Sequence, residues 1–133
     1  MMLNKKHLTL FLRLSIAVGF LSAVADRFGL YSKSNSVWGN WESFLEYTKV
    51  INPWFPEIII PSIGIIVTLL EVVFATFLVF GFKTQLYARL SGFLLLLFAL
   101  SMAFSIGIKP VLDYSVLPIV AASFALSTME ECL

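Results

Sequence analysis

The segment Ile58–Phe80 holds a single ionisable side chain, Glu71, close to its centre. At a helical rise of about 1.5 Å per residue, the segment matches the roughly 30 Å hydrocarbon thickness of a bilayer. A charged, unpaired carboxylate at that depth costs about 2.5 kcal/mol or more. Glu71 must therefore be protonated, ion-paired or turned toward water, and each answer constrains how the rest of the chain folds around it.

The rest of the chain has the same character. It is 59% hydrophobic and 13% charged, whereas soluble domains carry about 25% charged residues. The expectation is one integral membrane domain over residues 1–133. The net charge of +1 gives no reason to expect a nucleic-acid partner.

Four apolar stretches are long enough to be read as spans: 8–29, 58–80, 86–108 and 111–128. Lys5 and Lys6 ahead of the first stretch resemble a signal peptide. Its length and the lack of a small-residue cleavage site favour a retained transmembrane helix. Gly81–Gln85 and Gly107–Pro110 are short turns, so successive spans should be antiparallel neighbours. Pro118 removes the hydrogen bond to the Tyr114 carbonyl and predicts a kink in the last span. The fold class expected is an all-α membrane protein, a bundle of four transmembrane helices with one long connection.

That connection, 30–55, is the sizeable polar segment. Trp38, Trp41, Phe44, Leu45 and Thr48 recur at helical spacing, with Glu42, Glu46 and Lys49 elsewhere on the turn. The pattern predicts an amphipathic interfacial helix over 40–50, between the first two spans. Trp38, Trp41, Phe44 and Trp54 then act as an interfacial anchor or as a lid over a cavity.

Within the spans, small and polar residues fall on stripes. In span two these are Pro61, Gly64, Thr68, Glu71, Ala75 and Leu78; in span one, Ser15, Gly19, Ser22 and Asp26. Span three offers Gly92, Ala99 and Ala103, and span four Ser115, Pro118, Ala122 and Ala125. Such stripes permit close helix approach, so each is expected at a helix interface, with Glu71 facing other helices.

Counting along antiparallel spans places Arg13 about 5 Å in axial height from Glu71, and an Arg13–Glu71 buried ion pair is expected. The alternative for Arg13 is to snorkel to the cytoplasmic interface. Asp26, Arg27, Lys109, Asp113 and Tyr114 gather at the other end, as an interfacial charge belt or a ligand or quinone head-group site. With the N-terminus inside, Lys5, Lys6, Arg13, Lys83 and Arg89 lie on the cytoplasmic side against Arg27, Lys33, Lys49 and Lys109 outside. This slight bias favours cytoplasmic termini.

Chemistry-bearing motifs are sparse. The single histidine, His7, precedes the first span, and the single cysteine, Cys132, lies next to the C-terminus. No residues have metal-ligand spacing, and no paired cysteines, phosphate loop or nucleophile elbow occurs. No catalytic residue, metal ligand or covalently held cofactor is assigned, and any electrons would have to be carried by something else.

Leu12-Arg13-Leu14, Gly19 and Ala25-Asp26-Arg27-Phe28-Gly29 in span one, with Leu70-Glu71, Gly81-Phe82-Lys83-Thr84 and Arg89 later, form an ordered pattern. It resembles the DoxX-like family of small bacterial four-helix membrane proteins over most of the chain. That family is named after a subunit associated with a terminal quinol oxidase and a thiosulfate:quinone oxidoreductase. The resemblance implies a protein of the bacterial cytoplasmic membrane that assists a redox system as an accessory or anchor subunit. Lipid, redox-complex subunits and further copies of the chain are the partners expected, and quinone the candidate small molecule. The alternatives are a small oligomeric transporter or proton-coupled carrier using Glu71, and a structural scaffold.

Overall fold

The computed structural model describes residues 4–129; Cys132 lies outside them. Every regular element among the described residues is helical. Its helices are α1 (Lys5–Arg27), α2 (Trp41–Ile51), α3 (Ile60–Phe80), α4 (Thr84–Ser105), α5 (Ile108–Asp113) and α6 (Val116–Ser127), with a 3₁₀ turn, Glu57–Ile59, leading into α3. Three helices are long and apolar enough to cross a membrane: Lys5–Arg27, Glu57–Phe80 and Thr84–Ser105. The expected fourth span is instead divided into α5 and the shorter apolar helix α6.

Local chemistry sets the boundaries. Asn4 caps α1 by accepting from the Lys6 N–H at 2.8 Å. At the far end of α1, Gly29 (φ +74°) turns the chain left-handed, and the Leu30 N–H returns to the Ala25 carbonyl. Asn40 caps α2 by accepting from the Ser43 N–H at 2.8 Å. Pro61 occupies the first turn of α3, where a missing N–H matters least. The division between α5 and α6 falls at Tyr114 and Ser115, with Ser115 at φ +56°. A continuous helix would drive the Pro118 ring into the Tyr114 carbonyl. The chain breaks there, and Pro118 joins the first turn of α6.

The long helices form a ring in which α1 packs on α3, α3 on α4, α4 on α6 and α6 on α1, while α2 lies across α3 and α4. One core cluster, with Phe20, Phe74, Leu78 and Leu126, fills the end of the ring near the α3–α4 turn. A second, with Ile51, Met102, Val111 and Val120, joins α2, α4, α5 and α6. On α3 the expected stripe is the packed face except at its start: Pro61 is exposed, whereas Gly64, Thr68, Glu71, Ala75 and Leu78 are buried. Gly64 is where α2 seats, since a Cβ there would come within 2.7 Å of Leu45. Gly92 likewise admits the Phe124 ring.

The stripes of α1 and α6 behave differently. The buried face of α1 carries Ile16, Ala17 and Phe20, and that of α6 carries Val116, Val120, Ser123 and Leu126. Ser15, Gly19, Ser115 and Pro118 are exposed. They border a cavity instead of a helix interface.

Candidate functional site

The structure re-pairs Glu71. Its partner is Arg27, the last residue of α1. Arg27 Nη2 donates to Glu71 Oε1 at 3.0 Å, and Nη1 lies 2.9 Å from Oε2. Nη1 also donates to Thr68 Oγ1 at 2.8 Å. Thr68 passes its own proton to the Gly64 carbonyl, which leaves its oxygen free to accept from Arg27. Residues 64, 68 and 71 follow one another on the same helical face, so α3 presents a matched polar ladder to one guanidinium. The Arg27 side chain is 4% exposed and that of Glu71 11%.

The expected Arg13–Glu71 pair is absent. Arg13 Nε and Nη2 donate to the Leu78 and Val79 carbonyls at 2.9 Å each. These carbonyls belong to the last turn of α3, where oxygens lack intrahelical donors and the helix dipole favours a cation. The register between α1 and α3 thus places Arg13 beyond Glu71, at the helix end. Axial counting had the two helices about one turn out of step.

Asp26 secures the other side of Arg27. Its carboxylate accepts from the backbone N–H groups of Val37, Trp38 and Gly39 at 2.8, 3.1 and 3.2 Å. This pins the loop before α2 to the end of α1 and lowers Trp38 onto Arg27. The guanidinium carbon lies 3.9 Å from the Phe44 ring centre and 5.2 Å from that of Trp38. Trp38 meets Phe44 edge-on at 5.2 Å, and Trp41 stacks on Phe28 at 5.8 Å. Trp38 and Phe44 therefore lie against the guanidinium of the buried pair, and Trp41 packs beside Phe44 at 5.3 Å. Trp54, in the turn after α2, contributes to the same cavity wall as Trp38 and Phe44.

The expected outer polar cluster divides in two. Asp26 and Arg27 are buried, whereas Lys109 and Asp113 form their own pair at 2.9 Å with side chains 81% and 56% exposed. Tyr114 is exposed as well. It influences Tyr47, whose phenol is pushed above its ordinary pKa mainly by burial and secondarily by Tyr114.

Beneath α2 lies a cavity of about 750 Å³. Arg27 and Glu71 line one part of it, together with Trp38, Phe44 and Tyr47 of the loop and α2. Leucines and phenylalanines of α1 and α4 supply much of the apolar wall. Asn52 and Ser101 add polar atoms already bonded to each other at 3.1 Å. Three buried atoms of this site have no hydrogen-bond partner: Arg27 Nε, Trp38 Nε1 and Glu71 Oε2. The last is compensated by charge, through Arg27 Nη1. A buried donor without an acceptor costs about 1–3 kcal/mol. The cation over the Phe44 face returns part of that for Arg27.

Sequence reasoning placed Arg27 at the membrane interface because it ends the span. A signal for its true position was present: Arg13, Phe20 and Arg27 recur at seven-residue intervals, on the face that also carries Ile16. Among the described residues no three His, Cys, Asp or Glu side chains assemble as metal ligands. The chain matches no known protein-family model, no curated protein and no solved structure.

Proposed function

We propose that this protein is a four-crossing, DoxX-like component of the bacterial cytoplasmic membrane, an accessory subunit of a quinone-linked redox system that receives a lipid-soluble molecule in its cavity. In this reading α5 and α6 together make the fourth crossing, interrupted at Ser115. The observation that carries it is a large, mainly apolar cavity ending on a buried, charge-balanced Arg27–Glu71 pair. Clefts of this size and lining are characteristic of small-molecule sites. The reading assigns ligand handling to this chain and chemistry to a partner.

A carrier using Glu71 is the second reading, since carboxylates within membranes commonly mark ion pathways. It is less favoured because Glu71 is engaged by Arg27 and Thr68 holds the same guanidinium.

The test is mild affinity purification from native membranes, with co-eluting proteins identified, quinones quantified and E71A as control. The accessory reading expects a stoichiometric oxidoreductase. Recovery of the chain without any redox protein rejects it, and proton-coupled flux in proteoliposomes that E71Q abolishes would favour the carrier.

A further inference from the structure

The apolar cavity and the unpaired donors are separate observations that meet at the end of α1. We propose that the cavity binds an uncharged, lipid-soluble molecule through an oxygen acceptor, such as a quinone, ketone or ester carbonyl, with Arg27 Nε and Trp38 Nε1 as the donors. The inference deepens the ligand-receiving part of the function proposed above and does not require a redox partner.

Three features define the ligand chemistry. Arginine and the indole ring only donate, so the group they recognise must accept. Arg27 is already neutralised by Glu71 at 2.9 Å, and the buried Asp26 carboxylate lies next to it in sequence, so this end of the cavity has no excess positive charge to attract an anion. A carboxylate or phosphate head would add a second negative charge beside Glu71, and a cation would oppose Arg27; an uncharged acceptor does neither. The remaining wall is mainly apolar and suits a hydrocarbon body.

Access follows from the packing. Both donors are buried, and the Phe44 ring contacts both side chains. An acceptor reaches them when Phe44 turns aside or α2 rises from its seat on Gly64. The lining residues Ser15 and Gly19 of α1 and Pro118 and Ile119 of α6 are exposed. An apolar tail leaves the cavity between these two helices and continues into lipid.

Gly19 supplies a clean probe, because a Cβ built there meets nothing within 4 Å. The experiment measures equilibrium binding of a decyl-tailed benzoquinone to the purified full chain in detergent, with decanoate as competitor. Wild type should bind one quinone saturably. W38F, which keeps a ring but removes the donor, should weaken binding about tenfold, and G19F should abolish it by filling the cavity. Both variants should retain wild-type helicity and melting temperature, and decanoate should compete poorly. Undiminished binding in W38F and G19F overturns the proposal. So does equal competition by decanoate, which would mark a plain acyl-chain pocket. If G19F does not fold, W38F and the smaller G19L decide the matter. Quinone binding without any co-purifying oxidoreductase rejects the accessory role alone; an oxidoreductase partner without quinone binding rejects this inference alone.

Discussion

At the scale of single residues, the Arg27–Glu71 pair carries the largest stakes. Removing one partner of a buried pair strands the other charge and costs about 3–5 kcal/mol, whereas replacing both by apolar residues of similar volume is often neutral. R27A should therefore unfold at markedly lower temperature in detergent, and R27M/E71L should recover most of the loss. A double variant as unstable as R27A would show that the pair does more than neutralise itself. Arg13 acts on a smaller scale, at the end of α3. Gly81 there has φ +74°, and a Cβ on it would come within 2.7 Å of Arg13 Nη2. G81A should cost about 1–2 kcal/mol from the left-handed backbone alone. Combining it with R13A should be less than additive in thermal melts, because the two residues touch.

At the scale of helices, the sequence made some elements plain and hid others. The α3 stripe from Gly64 onward and the α3–α4 turn were readable because small residues and turn formers have few other uses there, whereas the expected Gly107–Pro110 turn runs mostly inside α5. The stripes of α1 and α6 were misread because a small side chain bordering a cavity leaves the same trace as one packed against a helix. The identity of Glu71's partner was hidden for a related reason. Pairing depends on helix register, and the local pattern of Arg13 and Arg27 on one face serves either choice. Pro118 did announce a disturbance, but its size depended on Ser115 adopting φ +56°. That conformation is costly for a residue with a Cβ and nearly free for glycine. S115G should stabilise the protein by up to about 1 kcal/mol, seen as a higher melting temperature. A lower value would indicate that the serine hydroxyl contributes something the helix break needs.

At the scale of the whole molecule, three long apolar helices joined in series set which loops share a membrane face. Lys33 precedes α2, whereas Lys83 lies in the α3–α4 turn. With C132S as background, K33C and K83C should react with a membrane-impermeant maleimide from opposite faces, one of them without permeabilisation and the other only after it. Labelling of both from the same side would contradict an α3 that crosses the bilayer, whatever the orientation.

The balanced pair in the middle of the molecule also has an electrical meaning. A lone charge moved across the bilayer exchanges about 2.3 kcal/mol with the field for each 100 mV. Arg27 and Glu71, locked within 3.0 Å of each other, present to the field a compact dipole with no net charge. A motion that keeps the two together therefore draws almost no voltage dependence from this pair, and any coupling to membrane potential falls to other charges, such as Glu42, Glu46 and Lys49 on α2. Neutralising Glu71 alone would remove that balance and leave Asp26, the neighbour of Arg27 on α1, as the carboxylate set against it.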